Sequence, residues 1–153
     1  MVKIILASAS PRRKALLNQI GAKYEVLPSN VDEAVDNEIS PFSWVKEISI
    51  KKARAVAKEI SEDAVIIAAD TIVTDLGRIL EKPKDAEEAK AMLRSLQGRT
   101  HTVYTGMTLI FIKDGQTEEK TYVSGTDVTM TTLTDEEIDL YVKTGECFDK
   151  AGA

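Results

Sequence analysis

At 153 residues the chain is long enough to bury a substantial core and falls within the size of one ordinary domain. Its 43% hydrophobic and 29% charged residues exclude disordered, collagen-like and repeat architectures. A formal charge of −5 with a pI near 5.0 argues against a protein that coats nucleic acid, so an anionic ligand has to be met by a local cluster of cations.

Val2 to Ala7 reads as a strand, a continuous apolar run without helical spacing. Ser8-Ala-Ser10-Pro11 then turns the chain into a helix, with Ser10 suited to the N-cap, Pro11 to the first helical position and Gly21 to the stop. Ala15, Leu16, Leu17 and Ile20 recur at helical spacing, which supports a helix there. Tyr24 to Leu27 reads as a second strand, and Ser29 to Ser40 as an acidic, aperiodic loop. Ser40-Pro41 repeats the cap-then-proline signal and opens a long amphipathic helix carrying Trp44, Ile48, Ala55, Val56 and Ile60.

Ala64 to Ala69 predicts a buried strand ending at Asp70-Thr71, followed by a hairpin over Ile72 to Leu80 that turns at Leu76-Gly77. Asp85 and Glu88 form a capping box for a helix running through Met92, Leu93 and Leu96 to Gly98. Thr102 to Ile112 and Lys120 to Thr132 are β-rich and joined across Asp114-Gly115, a hairpin signal. A second capping box, Thr134 with Glu137, opens the helix that carries Ile138, Tyr141 and Val142 to Gly145. The order of elements predicts an α/β fold whose sheet is mixed rather than purely parallel. The longest apolar run, Ala64 to Ala69, is too short to cross a bilayer, the first residues resemble a strand more than a signal peptide, and a lone Cys147 has no disulfide partner. A cytoplasmic protein without a membrane partner is expected.

Ser8, Ser10, Arg12 and Arg13 place two hydroxyls and two guanidiniums on the turn between a strand end and a helix N-terminus. That is a phosphate-binding arrangement, because free helix N–H groups favour an anion and arginine grips phosphate with two bonds. By local chemistry alone, the alternative that Ser10 only caps the helix and the arginines are solvated stands beside it. Asp70, where the apolar strand emerges, suits a metal ligand or a proton acceptor, and Thr71 beside it a ligand contact. Strand-end aspartates also form turns, a role that fits Asp75 better. Glu33 is a second carboxylate for a metal, although it lies among Asp32, Asp36 and Glu38, and such runs are usually solvated. Lys52 and Lys82 are candidate phosphate cations, Lys82 presented by Pro83, although each considered singly reads as a surface residue. His101, flanked by threonines in a β-rich stretch, suits a structural role.

Five segments taken together, Ser8 to Arg13, Ala68 to Thr71, Lys82-Pro83, Gly98 to Thr105 and Asp149 to Gly152, resemble the Maf family of nucleotide pyrophosphatases in order and spacing. The resemblance implies a mixed, twisted β-sheet flanked by helices in a two-lobed architecture like that of the inosine-triphosphate pyrophosphatases, with a central cleft, a divalent metal cation (Mg2+, Mn2+ or Co2+) and frequently a homodimer. It implies that Ser8, Ser10, Arg12, Arg13, Lys52 and Lys82 bind a nucleoside triphosphate, that Glu33 and Asp70 hold the metal, and that Asp70 activates the attacking water. The Ala-Ala-Asp-Thr and Asp-Lys-Ala-Gly forms resemble the subgroup acting on dTTP and UTP, and Arg12 and Thr71 match positions tied to that preference. The subgroup with glutamine after the aspartate prefers a methylated guanosine triphosphate instead. Two departures stand out: the chain stops at Ala153, so a family segment like Tyr-Gly-Ile-Gln-Gly and the strand and helix after it are expected to be lacking, and Cys147 replaces a proline often found after Gly-Glu. The rival expectation is a nucleotide-binding regulator of septum formation and cell division without catalysis.

Overall fold

The computed structural model describes residues 2–33 and 39–153. In chain order the elements are β1 (Lys3–Leu6), α1 (Pro11–Gln19), β2 (Glu25–Val26), α2 (Pro41–Ala57), β3 (Ala64–Asp75), β4 (Arg78–Leu80), α3 (Ala86–Leu96), β5 (Thr100–Lys113), β6 (Gln116–Thr129) and α4 (Asp135–Lys143). Among the described residues the strands form one six-stranded sheet in the order β2-β1-β3-β5-β6, with β4 on β3. β1 pairs parallel with β2 and β3, whereas β3 and β4 are antiparallel, so the sheet is mixed as the order of elements implied.

Both expected tight turns are present. Leu76-Gly77 and Asp114-Gly115 have positive φ at both residues, the requirement of a two-residue turn whose twist matches its flanking strands. Glycine takes that conformation without a Cβ clash, which is why each pair ends in one. The strand before the first turn differs from expectation. β3 does not stop at Asp70-Thr71 but runs unbroken to Asp75, so Asp70 lies within the strand.

The chain divides into two compact units, one made of the chain up to Asp70 with Thr105–Val123, the other of Thr71–Tyr104 with Ser124–Ala153. In the first unit, strand alternation sends Ala64, Ile66 and Ala68 to one face, where they share a core with Ile5, Ala7, Ile110 and the α2 residues Ala53 and Val56. α2 buries Val45, Ile48, Ser49, Lys52, Ala53 and Val56, an i, i+3, i+4 stripe that includes a lysine. Its N-terminus is capped as expected, Ser40 Oγ accepting from the Ser43 N–H at 3.2 Å. α1 forms as expected but buries none of its residues, with Leu16 and Ile20 61% and 76% exposed.

In the second unit α3 packs on α4 through Ala89, Leu93, Ile138 and Val142, with Cys147 beneath them. Asp85 caps α3 by accepting from the Glu88 N–H at 2.8 Å, but the Glu88 carboxylate accepts from the Lys84 N–H instead of closing the expected box. Thr134 and Glu137 make the reciprocal pair in full, at 3.2 and 2.8 Å. Thr134→Ala should therefore cost about 1 kcal/mol of stability, read as a lower urea midpoint with unchanged slope. Asp75, which directly precedes the Leu76-Gly77 turn, is 2% exposed, and its carboxylate accepts from Arg99 Nη2 at 2.8 Å and Arg78 Nη2 at 3.3 Å. A buried carboxylate left without such partners would be costly.

Candidate active site

Two periodicities create the centre of the site in the first unit. Along β3 the period of two puts Asp70 on the same face as Ile66 and Ala68, toward the core shared with α2. Along α2 the period of 3.6 puts Lys52 in register with Val45, Ile48 and Val56, toward the sheet. The two meet: Lys52 Nζ donates to Asp70 Oδ1 at 2.9 Å, and its ammonium also lies 3.0 Å from Glu33 Oε1. Lys52 and Asp70 are only 9% and 7% exposed, while the Glu33 side chain keeps 53% of its surface. Lys52 is thus a buried residue, not the surface lysine that it resembles when taken singly.

Ser8, at the end of β1, organises the entrance to α1. Its hydroxyl oxygen accepts from the Ser10 N–H at 3.2 Å and from Arg13 Nη1 at 3.0 Å. Ser10 occupies the cap position, yet its side chain makes no capping bond, so the expected cap at Ser10 is not formed. Arg13 is partly buried and feels the charges of Asp70, Arg12 and Glu33.

The electrostatics of this cluster are dominated by burial. Removal from water holds the Asp70 carboxyl above its ordinary value of 3.8; the Lys52 charge and hydrogen bond pull it down, Glu33 pushes it up, and Arg13 pulls it down. Burial likewise lowers the pKa of the Arg13 guanidinium, with Asp70 and Glu33 opposing and Arg12 reinforcing the shift. The guanidinium remains charged at neutral pH. The result is a buried Lys52–Asp70 pair with a half-exposed acid, Glu33, and a partly buried cation, Arg13, beside it, an arrangement that favours a multiply charged guest over an apolar one.

Of the residues singled out from the sequence, Ser8, Ser10, Arg12, Arg13, Glu33, Lys52 and Asp70 belong to the first unit, and Thr71 and Lys82 to the second. Thr71 follows Asp70 on the strand and points to the opposite face. Lys82 is exposed beside the buried Pro83. Of the other loop acids, Asp32 is an exposed neighbour of Glu33, and Asp36 and Glu38 lie outside the described residues. His101 is buried in β5, and its Nδ1 has no hydrogen-bond partner among the described residues. Among those residues no group of three or more His, Cys, Asp or Glu side chains could hold a metal ion, so the Glu33–Asp70 pair is the acid set on hand. Sequence reasoning missed Ser49, Gly106 and Thr108, which fasten α2 to β5; a serine in a helical stripe that is apolar apart from it and Lys52 was the available signal.

The family model described as "Maf-like protein" matches residues 3–153. The dTTP/UTP pyrophosphatase of Thermoanaerobacter sp. (strain X514) is 49% identical over 99% of this chain and 78% of its own length. Those of Agathobacter rectalis and Bacillus cytotoxicus are 46% and 48% identical over the whole of this chain, which covers 80% and 78% of theirs. Among solved structures, a HAM1 protein from Coxiella burnetii superposes with a TM-score of 0.51 at 18% identity, covering 83% of this chain and 72% of that one, a likeness of fold.

Proposed function

The chain belongs to the Maf-like protein family, and we propose that it hydrolyses dTTP and UTP, and pyrimidine nucleotides modified on the base, to the monophosphate and diphosphate. The observation that carries the proposal is the pair of carboxylates, one of them buried, converging on the Lys52 ammonium beside Arg13.

Ser8, Ser10, Arg12 and Arg13 bind the triphosphate at the start of α1, where the unmade cap at Ser10 leaves that helix end to an anion. Lys52 and Lys82 add positive charge, and Thr71 contributes to the choice of base. Glu33 and Asp70 fit a divalent cation such as Mg2+, Mn2+ or Co2+: their oxygens already share one cation at 2.9–3.0 Å, and two carboxylates with substrate phosphates make a common magnesium ligand set. When bound, such an ion offsets charge on the phosphates. Asp70 orients a water molecule and takes its proton as the water oxygen attacks phosphorus; the bond between the α- and β-phosphates breaks and diphosphate leaves with the electron pair. The raised pKa of Asp70 suits a group that accepts a proton.

No helix among the described residues is long and apolar enough to cross a membrane, in keeping with the proposed cytoplasmic location. Association as a homodimer also belongs to the proposal. Incubating the chain with magnesium and a panel of nucleoside triphosphates should release diphosphate and monophosphate in equal amounts, fastest from dTTP and UTP. Tight nucleotide binding with no release from any of them would instead identify a non-catalytic regulator.

A further inference from the structure

α2 carries Lys52, and two contacts of a kind not needed for ordinary packing hold that helix on β5. Gly106 supplies the first. A Cβ built there would lie 2.3 Å from the Val45 carbonyl oxygen and 2.5 Å from its carbonyl carbon. Both atoms are helix backbone, so no rotamer change could relieve the clash, and α2 approaches this closely only because residue 106 has no side chain.

The second contact is a buried line of hydroxyls. Ser49 and Thr108 are fully buried, and their oxygens are 2.9 Å apart; Thr108 Oγ1 is in turn 3.0 Å from Thr121 Oγ1 on β6. Ser49 donates its proton to the Lys46 carbonyl at 2.9 Å. With one proton per hydroxyl, Thr108 must donate to Ser49 and accept from Thr121, so the line runs in one direction and ends on the α2 backbone. Val45, Ser49 and Lys52 share one stripe of α2. Val45 lies about two turns and Ser49 about one turn before Lys52, so the contacts at these two positions set the height, rotation and axial register of the helix that carries it.

We infer that Gly106, Thr108 and Ser49 are positioning residues for the Lys52 ammonium, fixing α2 at the one height and register that bring the amine onto Asp70 and Glu33. The inference rests on the proposed role of Lys52 in the site. A displacement of about 1 Å at such a centre is enough to cost on the order of 10²-fold in rate.

A double-mutant cycle tests it. Thr108→Val removes the hydroxyl while nearly preserving shape, and should lower kcat/KM for dTTP about tenfold in the enzyme that retains Lys52. Thr108→Ser, which keeps the hydroxyl, should recover most of the loss. In a Lys52→Met background the same Thr108→Val change should alter the residual kcat/KM by less than about twofold, since nothing is left to position. An equal fold-loss in both backgrounds would reduce the contact to packing and overturn the inference, as would wild-type kcat/KM in folded Thr108→Val. Should Thr108→Val fail to fold, Ser49→Ala completes the same cycle with the same outcomes. If Lys52→Met alone turned over dTTP at the wild-type rate, the site reading would fall first and this inference with it.

Discussion

Asp70→Asn is expected to lower kcat for dTTP on the order of 10³-fold while leaving the unliganded protein no less stable at about pH 8. The two halves have one cause. Asparagine keeps an acceptor oxygen for Lys52 Nζ, now 2.9 Å from Oδ1, but cannot take a proton from water and is a poor metal ligand. Stability follows from the pKa of the carboxyl, which burial raises above 3.8 in the folded protein despite Lys52. A folded carboxyl with a raised pKa binds its proton more tightly than the unfolded one, so ionising it costs folding energy above the folded pKa. That cost disappears as the pH falls through the folded pKa toward 3.8. The variant should therefore compare best with wild type at about pH 8 and lose that advantage near pH 4, measured by urea unfolding at both. A variant that turned over dTTP normally would remove Asp70 from its role; a strongly destabilised one would show that the Lys52 pair outweighs desolvation.

Lys52→Met is expected to act in three directions at once. It should lower kcat/KM for dTTP on the order of 10²-fold, the usual loss for one cation or donor aimed at developing charge. It should also tighten Mn2+ binding in the absence of nucleotide by about tenfold or more, because the ammonium now between Glu33 and Asp70 competes with any other cation for the same oxygens. Finally, the unliganded variant should lose about 3 kcal/mol at pH 8, since removing one member of a buried pair strands the other. The sign with pH is set by Asp70: without Lys52 its folded pKa rises further, so the loss grows as the pH rises through that value and is recovered below 3.8. Calorimetry with Mn2+ and unfolding with and without the ion separate the effects. Unchanged or weaker Mn2+ binding would mean that the lysine and the metal do not share a place.

Local chemistry made much of the fold legible. The caps at Ser40, Asp85 and Thr134 and the turns at Leu76-Gly77 and Asp114-Gly115 are decided by atoms within four residues of one another, and each forms, except that Glu88 accepts from the Lys84 N–H where a full box with Asp85 was expected. Two local readings failed for the same kind of reason. The polar pair Asp70-Thr71 looked like the end of an apolar strand, but a charge inside a strand does not end it when the opposing helix supplies a counter-charge. Ser10 looked like the cap of α1, but its side chain makes no capping bond, and the hydroxyl oxygen two residues upstream, on Ser8, accepts from Arg13 across the same helix entrance.

The succession of elements, the mixed sheet and the residue types gathered near the first helix are legible in the chain, because period, cap and turn preferences act over one or two turns of it. Only the tertiary structure decided that Lys52 is buried, that its partner is Asp70 eighteen residues away, and that Asp75 answers to Arg99 twenty-four residues on. Burial and charge pairing belong to surfaces that meet when helix and sheet pack, and the energy of a buried ion depends on every neighbour it acquires there. A lysine in step with an apolar stripe marks that such a partner must exist; which residue it is follows from the packing alone.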